Sequence, residues 1–428
     1  SLSSTTDVES FSNDPTSISG FHPALTRWNP LEPAQLANPY PTYAQARREA
    51  PIFYSQFFGG WVVTRYDDIQ AVVKDTKTFS NSGSLGPAIV PDEARHLLPN
   101  GYPWAYPSLE NNDPPSHTRI RRLANEAFKS SVIAAQEPNV VRITDELFRK
   151  FEHAGRVEFM NEFANLLPGY VLCEVLGVPR SMTEQVVQWA DEVVALLDPN
   201  ISHDELMRIA ENQARWYKFC EEFIADRRAN PGDDIMSCLI DARVDDEPAL
   251  TDRELISAFC HFLIGGNETT RRFLGTLVLC LLDHPDQLAA VSADRSLVEP
   301  TIQETLRYMS SVRGLYRTAT ADVTLGGVHI PEGAPVVLMW ASANHDDKFE
   351  APETFNIFRE HADRHLAFSR GAHFCIGAPL ALLESRVVLN AVLDRMPGLR
   401  RADDKTLTWT PGVLHSGVET LHLTWNAN

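Results

Sequence analysis

Apolar and polar residues along the chain set out short strand-like runs between much longer helical stretches. Pro39 to Ala50 begins a helical pattern; Ile52-Phe53-Tyr54 and Trp61-Val62-Val63-Thr64 read as two strands joined around Gly59-Gly60, with a helix over Asp67 to Lys74 behind them. Ser80 to Asn112 has no period and is dense in Gly, Pro, Ser and Asn; a loop longer than about 15 residues in a compact protein is usually functional or disordered. From about Pro138 to Arg228 helical spacing returns, with breaks near Pro168-Gly169, Gly177-Val178-Pro179 and Pro199-Asn200. Thr251-Asp252-Arg253-Glu254 is a capping box, and the apolar period behind it runs to Leu282, where Asp283-His284-Pro285 stops it. About 32 residues at 1.5 Å each predict a helix roughly 48 Å long, enough to cross a domain. Val323 to Leu325 and Val328 to Ile330 flank Gly326-Gly327 as a second hairpin. Ile376, Leu380, Leu383, Val387 and Val388 mark another helix, and Thr420 to Trp425 reads as a last strand.

Composition narrows the class. No repeat or long linker divides the 428 residues, and a hydrophobic content of 43% suits a large soluble core. Residues 1–20, rich in Ser, Thr, Asp and Asn and without a signal-peptide pattern, are expected to be a disordered leader. The longest apolar runs, such as Phe273 to Leu282, fall short of the roughly 20 residues a bilayer needs, so no membrane anchor is expected. Six cysteines, Cys173, Cys220, Cys238, Cys260, Cys280 and Cys375, lie far apart, which predicts no disulfides and fits a reducing cytoplasm. A formal net charge of -19 argues against nucleic acid as a general partner.

Candidate chemistry concentrates in a few short stretches. Phe368-Ser369-Arg370-Gly371-Ala372-His373-Phe374-Cys375-Ile376-Gly377 puts one cysteine where a loop turns into a helix. A helix dipole and free N–H groups favour a thiolate there, and the glycines let a flat partner approach the backbone. Such a sulfur suits an axial position of a haem iron, although most cysteines are simply small buried hydrophobes. A zinc site of His365, His373 and Cys375 would lack its fourth ligand. Gly265-Gly266 in the middle of the long helix costs about 1 kcal/mol per glycine. An unwound or widened turn that admits a small ligand would offset this, with Glu268 beside the Thr269 hydroxyl to deliver protons; close helix packing is the plainer alternative. His117 and Arg121, four apart after Asp113-Pro114-Pro115, offer two donors on one helical face for a carboxylate, or else a solvated basic helix.

Together Phe-x-x-Gly-x-His-x-Cys-x-Gly, Gly-Gly-x-Glu-Thr-Thr, Asp-Pro-Pro-x-His-x-x-x-Arg and Glu304-x-x-Arg307 resemble the motifs of the cytochrome P450 family, as does the opening Pro-Tyr-Pro-x-Tyr. The resemblance spans roughly residues 30 to 428 and implies a mainly α protein with small β-sheets, a triangular single-domain helical bundle around a buried haem b. One letter departs from it: Ser369 stands where the family usually has glycine, which predicts a slightly altered turn. Cys375 becomes the implied iron ligand, with Glu268 and Thr269 as the catalytic pair. His117, Arg121, Arg317, His365 and His373 are implied propionate donors, with Gly266, Phe368, Gly371 and Gly377 against the haem. Implied substrate contacts are Ile89 and Val90 in the irregular segment, Leu263 and Gly266 on the long helix, and Val312, Leu315 and Leu414. Arg313 meets either a substrate carboxylate or solvent and structural acids. Glu304, Arg307 and Arg359 are implied to form a buried structural network.

The activity so implied is monooxygenation of a small hydrophobic or amphipathic molecule by O2. Electrons come from NAD(P)H through a separate ferredoxin and ferredoxin reductase, which dock on Arg119, Arg122 and Arg370 of a monomeric, cytoplasmic enzyme. A peroxide-driven haem-thiolate enzyme and a non-enzymatic haem protein are the alternatives.

Overall fold

A computed structural model describes residues 15–84, 92–97, 109–196, 200–402 and 406–428. The helices that position the site are α1 (Tyr40–Glu49), α2 (Ser116–Ala127), α3 (Leu167–Leu176), α4 (Thr183–Ala195), α5 (His203–Ala229), α6 (Asp252–Leu282), α7 (Val298–Tyr308) and α8 (Ala378–Arg395). Between them lie a five-stranded sheet and two smaller ones.

The large sheet uses β1 (Ile52–Ser55), β2 (Gly60–Val63), β3 (Phe79–Ser80), β5 (Leu315–Ala319) and β8 (Pro335–Leu338) in the order β1-β2-β8-β5-β3. The expected hairpin is β1 against β2, with Ile52 opposite Val63, and β2 then runs parallel to β8. Strands β6 (Val323–Leu325) and β7 (Val328–Ile330) form the second hairpin. The chain closes with β10 (His422–Thr424) between β4 (Arg156–Glu158) and β9 (Arg400–Arg401).

Helix α6 is the spine. Its 31 residues start at the predicted capping box, in which Glu254 N–H donates to Thr251 Oγ1 and Thr251 N–H to Glu254 Oε1. They span about 46 Å. The helix packs on α3, α4 and α5, and Leu255, Phe259, Leu274 and Val278 sit in the largest apolar cluster with Phe148, Phe159 and Phe163. At the far end Asp283 N–H bonds to Leu279 O, and Pro285 begins the next helix.

Two expectations need correction here. Residues 15–20 are ordered: Pro15–Ser17 form a 3-10 turn, Trp61 Nε1 donates to Ser19 O at 2.8 Å, and Tyr54 N donates to Gly20 O at 2.9 Å. The expected leader therefore does not reach residue 20, and residues 1–14 lie outside the described ones. Nor does α6 unwind at its glycines; it is continuous α-helix through Gly265-Gly266. All six cysteines are free, and among the described residues no helix is long and apolar enough to cross a membrane.

Candidate active site

The cysteine loop is held by its own backbone. Cys375 N donates to Phe368 O at 2.9 Å, closing a turn in which Ser369 has φ +64° and Gly371 φ +72°. The left-handed region is steric ground for glycine, so Ser369 puts this turn under strain. Phe368 packs its ring edge against His365 and Phe374. Gly377 is the N-cap of α8, and a Cβ on it would stand 3.8 Å from Cys375 Sγ. Helix-start N–H groups were expected to favour a thiolate. Burial prevails and pushes the thiol up to about 11, although the Gly377 and Ala378 N–H groups and Arg121 pull it back. A cationic metal at sulfur would be needed to displace that proton.

A basic cluster lies beside the cysteine. His117 and Arg121 share one face of α2, and His117 stacks on His373 with ring centroids 3.9 Å apart. His373 Nε2 donates to Asn112 O at 2.9 Å. Both ring nitrogens of His117 are buried, and among the described residues neither has a partner at full hydrogen-bond geometry, the Leu109 backbone being the group nearest to serving as one. Arg317 is buried over the Trp340 ring and donates Nη1 to Tyr316 O, while Arg121 Nε reaches Asn125 Oδ1. Among the described residues neither guanidinium has an ion-pair partner, and burial lowers both pKa values. A buried orphan imidazole next to two desolvated guanidinium groups calls for an anion, because leaving such donors unpaired costs about 1–3 kcal/mol each. Paired carboxylates beside a cysteine loop fit the propionates of haem, which His117, Arg121, Arg317 and His373 would hold. His365 is not part of this cluster. Its Nε2 donates to Gln303 Oε1 at 2.7 Å and its Nδ1 accepts from Ala367 N at 3.1 Å, so both nitrogens are already used.

On α6, Gly265 is exposed, and its nearest neighbour beyond the helix backbone is His261. Arg121 and Glu110 act electrostatically on both His261 and Cys375, so both residues lie within electrostatic range of the same charged groups. Thr269 donates Oγ1 to Gly265 O at 2.8 Å, one turn back. Glu268 is clamped: Arg271 Nε donates to its Oε2 at 2.7 Å and Arg272 Nε to its Oε1 at 2.5 Å. Burial alone would raise the Glu268 pKa; Arg272 and then Arg271 outweigh it and hold the carboxyl below its ordinary range.

Several implied contacts are displaced by one or two residues. A Cβ on Gly266 would meet Leu172 of α3 at 3.1 Å, so this glycine allows close packing of α6 on α3. Leu263 is buried in the main core, about 200° around the helix from Gly265; His261 takes the place expected for it. Leu414 packs into the cluster of Trp28, Tyr43 and Phe53, whereas its neighbour His415 turns inward, within electrostatic reach of Arg272 and Glu268. Val312 pairs with His415 in an isolated bridge, and Val312 and Leu315 stay half-buried beside it. Ile89 and Val90 lie outside the described residues. The sequence points to the apolar neighbours Leu263 and Leu414 because a hydrophobic pocket favours such residues, and it carries no signal for the phase that brings His261 beside Gly265 and His415 within reach of Glu268.

Among the described residues Arg313 has no acid as ion-pair partner: Nη2 donates to Leu36 O at 2.6 Å and to Ser416 Oγ at 3.0 Å. The structural network assembles. Arg307 and Glu304 are fully buried, Arg307 Nε donates to Glu304 Oε1 at 2.5 Å, and Arg359 Nε reaches Glu304 Oε2 at 3.1 Å. Arg307 also binds the carbonyls of Asn344, Pro352 and Thr354, and Asn356 N–H donates to Glu304 Oε2, so the network ties α7 to the segment leading into the cysteine loop. The surface arginines do not form a free basic patch. Arg119 is paired with Glu254, and Arg122 with Asp245 and Glu247, which leaves Arg370 over the Phe374 ring.

A buried cysteine loop beside a cluster of anion donors, together with a long helix carrying a hydroxyl–carboxylate pair, has the features of a haem-thiolate protein. Comparisons with known proteins agree. The family profile described as Cytochrome P450 matches residues 61–397. Cytochrome P450 107B1 of Saccharopolyspora erythraea is 36% identical over 390 residues, covering 89% of this chain and 93% of the relative. The 6-deoxyerythronolide B hydroxylase of the same organism is 33% identical over 391 residues, covering 89% and 95%. The solved structure of cytochrome P450 CYP109Q5 from Chondromyces apiculatus superposes with a TM-score of 0.84 at 33% identity, covering 95% of this chain and 100% of that one. The chain belongs to the cytochrome P450 family and is a P450 monooxygenase.

Proposed function

We propose that this enzyme places one oxygen atom of O2 into a small organic substrate, by hydroxylation or a related oxidation, with electrons delivered by a separate ferredoxin and its reductase. The observation that supports the reading is a buried Cys375 beside the basic cluster of His117, Arg121 and Arg317, in a chain whose long helix holds the Thr269 hydroxyl on Gly265 O. Haem b, when bound, supplies the redox chemistry that reduces and splits O2, and a thiolate ligand favours that cleavage. The protein's own groups do the rest. The Cys375 turn and the Gly377 and Ala378 N–H groups orient and stabilise the sulfur. Gly265 leaves room beside the helix, and the Thr269 hydroxyl lies one turn along the same face. Glu268, next in the chain, is the carboxylate that passes protons to it.

A peroxide-driven enzyme would have no need of Glu268 and Thr269, so their presence favours O2. The two are separated by comparing turnover with peroxide alone against turnover with electron donors and O2; this reading expects the second to dominate, and equal or greater peroxide turnover would overturn it. Val312 and Leu315 support a largely apolar substrate, to which His261 and His415 add hydrogen-bonding capacity.

A further inference from the structure

The residues just after α7 make a set of buried hydrogen bonds that run in two directions. Ser311 Oγ donates to Thr269 O at 3.0 Å, so the residue whose hydroxyl reaches back to Gly265 O is itself held from outside α6. Its neighbour Ser310 donates Oγ to Leu306 O at 2.6 Å and accepts from Asn344 Nδ2 at 3.0 Å. Asn344 Oδ1 in turn accepts from Leu366 N at 2.7 Å. Leu366 O receives Ser369 N–H at 2.9 Å, at the head of the turn that Cys375 N–H closes on Phe368 O. Three side chains thus join the Thr269 turn of α6 to the cysteine turn.

Each junction is fully used. Ser310, Ser311 and Asn344 are all buried. A serine hydroxyl has one proton to give, and Ser310 gives it to Leu306 O, so it meets Asn344 only as an acceptor. That orients the amide, with Nδ2 on Ser310 and Oδ1 on the Leu366 N–H. Arg307 Nη1 on Asn344 O and Ser416 N–H on Ser311 O hold the two backbones as well. A shift at one end therefore either strands a buried polar atom or carries the other end with it.

We propose that Ser310, Ser311 and Asn344 are positioning residues for the reaction, a bracket that sets the Thr269 turn and the Cys375 turn in one register. They act through the Thr269 and Leu366 backbones. Placing the Thr269 hydroxyl and setting the hydrogen bonds to sulfur become one adjustment. The inference rests on the reading of Thr269 in proton delivery and of Cys375 as iron ligand.

The test uses the haem-loaded protein, with haem content per chain measured for every variant, and reads both ends. At the cysteine end the readout is the iron midpoint potential, titrated spectroscopically without substrate. At the α6 end it is the ratio of product to peroxide, with separate electron donors and camphor, dodecanoic acid and testosterone as probe substrates. Ser311→Ala releases the Thr269 carbonyl and should lower the ratio ~5-fold, as a displacement of a few tenths of an ångström would. It should also lower the potential, because a looser cysteine turn weakens the Gly377 and Ala378 N–H contacts to sulfur that favour reduced iron. A ~3-fold change in the reduction equilibrium is about 30 mV, at 59 mV per tenfold for one electron. Asn344→Ala releases the Leu366 N–H and should move both readouts in the same directions. Ser311→Thr keeps the hydroxyl and should restore both. The double variant should lose no more than the larger single one, since one bracket is broken twice.

An unchanged potential in Ser311→Ala, or single losses that add in the double variant, overturns the proposal. So does a variant that loads less haem while its loaded fraction keeps the unaltered potential and ratio, which is what a merely structural role gives. Should Asn344→Ala not load haem, Ser310→Ala, which removes the acceptor of Asn344 Nδ2, carries the same prediction. If Thr269→Ala leaves the ratio intact, the proton-delivery reading falls by itself; the bracket then stands or falls on whether Ser311→Ala shifts the potential.

Discussion

Replacing Ser369 by glycine should stabilise the protein without touching its iron ligand. Ser369 is buried at φ +64°, in the turn whose Phe368 carbonyl receives Cys375 N–H. A side chain in the left-handed region costs on the order of 1–3 kcal/mol. Its hydroxyl recovers little, since its contact with Arg370 O is 3.5 Å long, and the Ser369 N–H bond to Leu366 O at 2.9 Å is equally open to glycine. Against this, glycine loses about 0.5–1 kcal/mol more conformational entropy on folding. The difference is a gain of ~1 kcal/mol for Ser369→Gly. Denaturant midpoints at fixed haem occupancy, followed by both helix signal and haem absorbance, measure it at constant slope. Ser369→Ala is the control: it removes the hydroxyl and keeps the Cβ, so it should gain nothing. A destabilised glycine variant, or an alanine variant that gains as much, would refute strain at this position.

Thr269→Ala should keep haem but divert reducing equivalents to peroxide; fully coupled product formation in that variant would remove Thr269 from proton delivery. Glu304→Gln leaves Arg307 and Arg359 without their buried counter-charge and should cost ~3–5 kcal/mol, read as a loss of folded, haem-loaded protein; a wild-type yield and melting profile would contradict the network's role. Stability of the haem-free protein should depend on pH. Burial lowers His117 to about 4 and both His365 and His373 to about 3. Each therefore takes up a proton on unfolding, so its contribution is fully present above about 6.5 and is lost as pH falls. Between pH 6.5 and 5.5 this amounts to ~1 kcal/mol per histidine, and a flat denaturant midpoint across that window would show that these rings are not buried neutral.

Local signals were the ones legible in the sequence. The capping box at Thr251 and the long apolar period fixed α6 at both ends, and the glycine pairs around the two hairpins marked β1–β2 and β6–β7. The cysteine motif located the turn at Phe368, and spacing alone brought His117 and Arg121 to one face. Phase against distant partners was not legible. Which glycine of Gly265-Gly266 faces the interior is decided by Leu172 of α3, and whether Leu414 or His415 turns inward depends on the Trp28 and Tyr43 cluster. His365 looked like a propionate donor until Gln303, 62 residues away, claimed it. The thiol's protonation likewise reflects burial by the whole fold, which a helix-start motif does not report.

The most direct measurement of the central claim is the absorption spectrum of the haem-loaded, reduced protein under carbon monoxide. Ligation by Cys375 predicts the red-shifted band of a thiolate-bound haem, lost in Cys375→His while haem is retained. A band at the shorter wavelength of an imidazole-ligated haem in the unaltered protein, or a red-shifted band that survives Cys375→His, would contradict the assignment.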